Sequence, residues 1–412
     1  MTTRPSNDTV LSDILILGAG PAGLICALFA ARRGRSVAVL EASGTTARKL
    51  RASGGGRCNC TNRDASPAHY LSANPKFTEQ ALRRFTPGDF LDLLRELGLS
   101  ATEEGHGRYF CDQGATALAE ALERACRAAG VRFLLKRGVT DLAPSIFEGA
   151  PGFRVETDAD QINGPLMARK AVLALGSPAW PALGGCDSAA RLAGSLGLAH
   201  VPARPALTPF TMTGPQLELC RRLSGLSVEA TISCLGKSYT DGLLFTHQGL
   251  SGPAALQISS FWRRGEALAI DLAPGRDLRA ELRDPARGKA LARTILTEGL
   301  PRRLADELLG ALPGELKALA ERRAAELSKA QMEALAAVVQ AWRVAPSGTA
   351  GMARAEAASG GVDTRLFSPK TMECRELPGL YAIGEALDVA GELGGFNLHW
   401  AWASGVAAGR AL

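Results

Sequence analysis

The sequence predicts an α/β protein in which a domain built on a β-α-β nucleus is interrupted by an inserted β-rich plus helical domain. Three observations carry this expectation. An apolar run from Asp13 to Leu17 passes without a gap into Gly18-Ala-Gly-Pro-Ala-Gly23 and then into a helical pattern. A second glycine-rich passage from strand to helix lies near the C-terminus, between Pro378 and Gly405. Between the two, proline density rises and the periodicity changes character, as a separate folding unit would require.

Taken in order, Asp13–Leu17 reads as a strand, Leu24–Arg33 as an alanine-rich helix closed by Gly34, and Ser36–Leu40 as a second strand ending in Glu41. Helical spacing recurs over Phe77–Leu97 and Ala115–Ala129, each closed by a glycine (Gly98, Gly130). Val131–Leu135, Phe153–Thr157 and Lys170–Leu175 read as strands, with a β-meander joining the last two to a mixed sheet. Prolines from Pro178 to Pro215 mark the exit into the insert. There, Val228–Cys234 and Gly242–Thr246 are strand-like, whereas Lys289–Trp342 is helical and broken at Pro301 and Pro313. The chain returns through Gly360-Gly361-Val362 and a strand at Leu380–Ile383 to a final helix from about Asn397. The domains expected are 1–195 and 346–412 as two parts of one domain, with 196–285 as an inserted β-rich domain and 286–345 as an inserted helical domain.

A chain of 412 residues exceeds one ordinary core, which takes roughly 100 to 200 residues. With 46% hydrophobic and 21% charged residues it falls outside the disordered regime. The net charge of +6 is spread among acids, above all between Arg276 and Glu333, so it describes solvated helix faces and no nucleic-acid partner is expected. No membrane association is expected either, because no apolar run reaches about 20 residues. Residues 1–10 lack the apolar core of a signal peptide, and the nine cysteines are scattered without a CxxC pair. Together these point to a cytoplasmic protein with reduced thiols and no metal-ligand spacing.

Each fingerprint glycine has its own task. Gly18 makes the tight turn, Gly20 lets a pyrophosphate approach the backbone, and Gly23 lets helix pack on strand, with Ala22 inside the same turn. The helix N-terminus then faces the phosphates, and Glu41 stands where a carboxylate accepts hydrogen bonds from ribose hydroxyls. This is a Rossmann-like dinucleotide site, and the fingerprint alone does not separate FAD from NAD. The basic segment Arg48–Asn62, with Lys49, three glycines Gly54, Gly55 and Gly56, then Arg57, Cys58 and Asn59, suits phosphate and ribityl groups. Near the C-terminus, Gly384-Glu385 offers an acid to ribityl hydroxyls, Asp388 follows it, and Gly395-Phe396-Asn397-Leu398 places a helix start where its dipole stabilises a reduced flavin.

These elements resemble the bacterial FAD flavoproteins that include aminoacetone oxidase and the BaiN/RdsA-type NAD(P)/FAD-dependent oxidoreductases. The resemblance rests on GAGPAG, RKLRASGGGRCNCTN, LFTHQGLSGPA, KTMECRELPGLYAIGEALDVAG and GGFNLHWAWASG in that order, and it covers nearly the whole chain. It implies a Rossmann-like FAD-binding domain of three layers (ββα) with noncovalent FAD and an inserted substrate domain. It also implies FAD contacts at Gly18, Gly20, Gly23, Glu41, Lys49, Gly55 to Asn59, Val139, Gly384, Glu385 and Gly395 to Leu398. Ala174 and Gly176 follow the strand before the insert, where the family's Ala-Thr-Gly is Ala174-Leu175-Gly176 here. Ala357-Ala358 replaces Val-Thr, and His399 stands where Gln is common.

The expected function is FAD-dependent hydride transfer through flavin N5 to or from a small organic molecule. His247, His399 and Asn397 are the candidates for catalysis, the histidines as proton carriers. An NAD(P)H-dependent flavin reductase or dehydrogenase is the alternative, with NAD(P)H docking transiently because no second GxGxxG follows a strand. A flavin-binding sensor or RNA-associated scaffold is the rival from another class. Oligomeric state is not legible.

Overall fold

The structure, a computed structural model, describes residues 11–159 and 165–412, so the expectation drawn from residues 1–10 lies outside the described residues. It divides into two compact units, 1–205 with 356–412, and 206–355. The junctions expected at 195/196 and 345/346 fall earlier than these.

The first unit is organised by a seven-stranded sheet. Along its path the strands run Arg132–Leu135, Val37–Glu41, Leu11–Leu17, Leu166–Leu173, Ala150–Thr157 and Val139–Phe147. The first four are parallel, and Leu380–Ala382 adds in parallel to the second half of Leu166–Leu173. The first half of that strand continues antiparallel into the meander Val139–Phe147 and Ala150–Thr157. Parallel strands are covered on both faces, which is why Ile14, Leu15, Ile16 and Leu17 form an unbroken apolar run and are all buried. The helix Pro21–Ala31 packs between Gly114–Ala128 and Phe396–Ala411 against this core.

Two glycines in the Phe396–Ala411 helix show how close that packing is. A Cβ on Gly405 would lie 2.2 Å from Ile25 Cγ2, and one on Gly409 2.8 Å from Cys26 O. The strand order reverses at Leu11–Leu17, with Val37–Glu41 on one side and Leu166–Leu173 on the other, and the crevice at the C-terminal ends of the strands at such a switch point is the usual ligand position in open α/β sheets.

The expected helix over Phe77–Leu97 is two helices, Glu79–Arg84 and Pro87–Glu96. Pro87 cannot donate within a helix, so it starts a new one, and Thr86 and Asp89 close a reciprocal capping box there.

In the 206–355 unit an antiparallel sheet runs Trp342–Val344, Leu268–Asp271, Ser227–Cys234, Lys237–Thr246, Gly249–Ser251, Phe210–Thr211 and Gly348–Thr349. Helices Arg302–Gly310, Gly314–Ala320 and Lys329–Gln340 follow the pattern expected, with Pro301 and Pro313 capping the first two. The division expected at 285/286 does not separate two cores. Ile232, Phe245 and Leu268 from strands share one cluster with Ile295, Leu304 and Leu335 from helices.

Candidate cofactor and active site

Three turns leave the C-terminal ends of neighbouring parallel strands and meet in the crevice: Gly18–Gly23, Ala174–Ser177 and Gly384–Ala386. Two of the fingerprint glycines are required by the protein itself. Gly18 has φ +110°, and a Cβ there would lie 2.5 Å from Ala174 O, while a Cβ on Gly23 would lie 2.1 Å from Gly18 O. Gly20 differs, for a Cβ there would meet nothing within 4 Å. The space before it is where a pyrophosphate reaches the backbone. Ala22 is buried and packs beneath Gly384, whose added Cβ would lie 2.8 Å from Ala22 Cβ. Gly176 has φ +74° and open space around it.

Both helices that begin at this crevice lack a capping side chain and an acid in the first turn. The Pro21–Ala31 helix starts from Gly20, and the 16-residue Phe396–Ala411 helix starts from Gly395 at φ +94°. Helix starts without caps leave N–H groups that require an acceptor. Two such ends facing one crevice form a cradle for an extended anionic molecule such as a dinucleotide.

Side chains brace this cradle. Glu41 accepts from Ala19 N–H (3.1 Å) and Ser43 N–H (2.9 Å), joining the first turn to the end of the second strand. Arg137 N–H donates to Glu41 O (2.8 Å), which brings the segment with Val139 alongside. Arg137 also holds its Nη1 buried without a hydrogen-bond partner among the described residues. On the other side Lys49 Nζ donates to Glu385 Oε2 (2.7 Å), and Ser177 Oγ donates to the same oxygen (2.8 Å). The Arg48–Asn62 segment is tied in by Asn62 Nδ2 donating to Gly394 O (2.8 Å) and by the Asn59 amide, which accepts from Gly395 N–H (3.3 Å). Gly55 and Gly56 adopt φ +66° and +92° with nothing near their α-carbons.

Several expected site residues are placed differently. His399 is fully buried, with Nδ1 2.9 Å from Thr61 Oγ1 and Nε2 3.1 Å from Phe85 O. Burial lowers its pKa to about 4, against the opposing effects of Phe85 O and Asp89, so it stays neutral and carries no proton for catalysis. The Asn397 side chain is spent on the turn, accepting from Gly391 N–H (2.8 Å) and donating to Gly391 O (2.9 Å). It leaves only the Asn397 backbone to act on a cofactor.

Asp388 is buried, and its two oxygens accept from Ala73 N–H (2.8 Å) and Gly360 N–H (3.0 Å), which makes it a brace between loops. Cys58 is buried too. Its N–H donates to Ser53 O (3.1 Å), its O accepts from Cys111 N–H (3.0 Å), and burial pushes its thiol up to about 12. The Cys58 backbone therefore anchors the glycine loop, and its thiol is buried away from solvent. Arg57 is exposed, ion-paired with Glu104 and stacked over Phe110 at 4.4 Å. Phe396 is buried and stacks on His69 at 4.6 Å, while Leu398 is half-buried in the helix's first turn. His247 is exposed in the turn between two strands of the 206–355 unit.

The sequence reading missed Ser177, Arg137 and the pair His69 Nδ1 and Glu392 Oε2 at 2.7 Å. None has a local signal, since each acts through a partner distant in the chain.

The family model described as HI0933-like protein Rossmann domain matches residues 12–411. The chain belongs to this family. Within the HI0933-like family it is 40% identical over 400 residues to a protein of Escherichia coli strain K12 named ribosomal RNA dihydrouridine synthase, covering 95% of this chain and 96% of that one. A Haemophilus influenzae protein of the same name is 38% identical, covering 96% and 97%. A Clostridium scindens protein named 3-dehydro-bile acid delta(4,6)-reductase is 30% identical, covering 97% and 99%. This HI0933-like protein is thus an FAD-dependent oxidoreductase of Rossmann architecture, as the sequence resemblance implied. No helix among the described residues is long and apolar enough to cross a membrane.

Proposed function

We propose that the protein reduces a carbon–carbon double bond conjugated to a carbonyl, and that its substrate is uridine in ribosomal RNA, which becomes dihydrouridine. The observation that supports a bound FAD is the pair of uncapped helix starts facing one crevice, with Gly20 open to it. Substrate choice rests on identity of 38–40% over nearly the whole chain with two proteins of that name. The relatives' two names also share one chemistry. Uridine's C5=C6 bond is conjugated to a carbonyl, as is a Δ4 bond beside a 3-oxo group.

Bound FAD would supply a hydride from N5, with NAD(P)H as the proposed source of its electrons. Glu385, held by Lys49 and Ser177, presents a fixed carboxylate to hydroxyls. The amides of Asn397 and Leu398 at the uncapped helix start would hold negative charge. A proton must reach the second carbon. With His399 excluded by burial, half-exposed His69, paired with Glu392 and stacked on Phe396 at the start of the C-terminal helix, is the candidate to carry it. This reading replaces the expectation of no nucleic-acid partner and keeps the cytoplasmic one, since ribosomes are made there.

The test is to incubate the FAD-loaded protein with NADH or NADPH and protein-free ribosomal RNA, then look by nucleoside mass spectrometry for uridine gaining two hydrogens. Dihydrouridine formation is expected. Oxidation of the nicotinamide with no change in the RNA, but with reduction of an added 3-oxo-Δ4 steroid, would reassign the substrate.

A further inference from the structure

A recess of about 300 Å³ lies in the first unit, lined by Ala81, Phe85, Ala403, Val406 and Ala407 and rimmed by Arg84, Lys370 and Arg410. It lies along the second half of the Phe396–Ala411 helix, whereas the cofactor crevice faces the start of that helix. The three cations come from three segments: the end of the Glu79–Arg84 helix, the loop after Phe367, and the last turn of the C-terminal helix. All three are exposed, and none forms an ion pair among the described residues. Arg410 Nη1 donates to Arg84 O (3.3 Å), which ties two of the three segments together at the rim. Asp89 feels the charge of Arg410, yet its carboxylate is already engaged by Thr86 N–H (2.7 Å) and Thr86 Oγ1 (2.6 Å).

Cations in a helix's last turn offset its macrodipole, which accounts for Arg84 and Arg410 singly. It does not account for Lys370, nor for the convergence of all three on one apolar floor. Some basic side chains elsewhere are matched by acids, as in Arg276 with Glu281 and Arg63 with Glu103, whereas here three cations from separate segments share one apolar recess. An unmatched triad around an apolar recess fits a ligand with an anionic group beside a flat apolar face.

From this we infer that the recess is an RNA-docking subsite, in which Arg84, Lys370 and Arg410 hold a phosphodiester and the apolar floor receives the adjoining base. The inference rests on the ribosomal RNA reading above. Its volume is at the low end of ligand pockets, about 300–1,000 Å³, and admits one nucleotide but no duplex. Single-stranded RNA with splayed bases is what proteins read in this manner. The subsite would hold the substrate RNA by a nucleotide remote from the uridine being reduced.

The experiment measures binding of protein-free ribosomal RNA to the FAD-loaded protein across salt concentrations, for the wild type, K370Q and the triple variant R84Q/K370Q/R410Q. Reduction of the flavin by NAD(P)H is followed in parallel. For each phosphate that a variant no longer neutralises, the log–log salt slope should become shallower by about 0.7. K370Q should bind about threefold more weakly and the triple variant more than tenfold, with flavin reduction unchanged. Arg410 also lies 5.5 Å over the Phe29 ring, so K370Q alone keeps the test valid if the triple variant folds poorly. Wild-type binding with unchanged affinity and slope in K370Q and the triple variant overturns the subsite and leaves the RNA reading standing. No RNA binding by the wild type overturns both, and equal competition by polyglutamate reassigns the recess to acidic protein.

Discussion

Lys49 and Glu385 stand 336 positions apart in the chain and meet in a 2.7 Å ion pair. The pair is only partly exposed, with 26% and 17% of the two side chains open to solvent. It joins the basic segment after the second strand to the turn after Leu380–Ala382, so the two halves of the divided domain close on one crevice through it.

Replacing Lys49 with Met removes this link while Ser177 still holds Glu385. Charge-assisted hydrogen bonds contribute about 1.5–3 kcal/mol, so FAD affinity should fall on the order of tenfold or more. Flavin fluorescence titration of the apoprotein reads this directly. An unchanged dissociation constant would remove Lys49 from the cofactor site.

The fingerprint glycines should separate into two kinds. Gly18→Ala places a Cβ 2.5 Å from Ala174 O at a φ of +110°, so the apoprotein should lose several degrees of thermal stability or fail to fold. Gly20→Ala meets no protein atom within 4 Å at a φ of −73° and should leave the apoprotein's melting temperature unchanged. Its methyl would instead occupy the space a pyrophosphate needs and weaken FAD binding. Equal binding of FAD by Gly20→Ala and wild type would mean that the space before Gly20 is not the pyrophosphate site.

His399 makes stability depend on pH. Burial lowers its folded pKa to about 4 from an ordinary 6.5. Below the ordinary value the unfolded chain binds the proton and the folded chain does not. Stability contributed by the neutral ring is therefore complete above about pH 6.5, declines as pH falls, and levels off near pH 4. The full span is on the order of 3 kcal/mol. Denaturation curves at several pH values should show this slope in the wild type and a flatter one in His399→Gln. Parallel slopes would assign the acid sensitivity to other groups.

The strands and the fingerprint were legible because their causes are local. Ile14–Leu17 is apolar without a break because both faces of the strand are covered, and Gly18 and Gly23 answer clashes within one turn. The break at Thr86 was not read, although Pro87 and the Thr86–Asp89 box mark it, because the longer helical periodicity masks it. His399 and Cys58 were not legible, because polar residue types next to glycine turns look functional until burial is known. Ser177 and Arg137 act through distant partners, and nothing in their neighbours announces those interactions. The Arg84, Lys370 and Arg410 triad was hidden for a related reason: net charge counts cations without showing which of them have acids beside them.

Asp388 shows how a residue in a cofactor motif can act from behind it. Its carboxylate is 4% exposed and accepts from two backbone amides on separate loops, Ala73 N–H and Gly360 N–H. Burial raises its pKa, and the two amides oppose that shift. Asp388→Ala would leave both donors buried without acceptors, at about 1–3 kcal/mol each. Water entering the vacated space would recover part of that, so a net loss of about 3 kcal/mol is expected. Gly360 lies in the strand Ala357–Val362 and Ala73 follows Leu71, whose strand pairs with Ala390–Gly391 just before the Gly394–Gly395 turn. Loosening Asp388 should therefore raise hydrogen exchange at both strands while leaving the Gly18–Gly23 turn protected. Protection that fails first at the Gly18–Gly23 turn would instead make Asp388 part of the cofactor cradle itself.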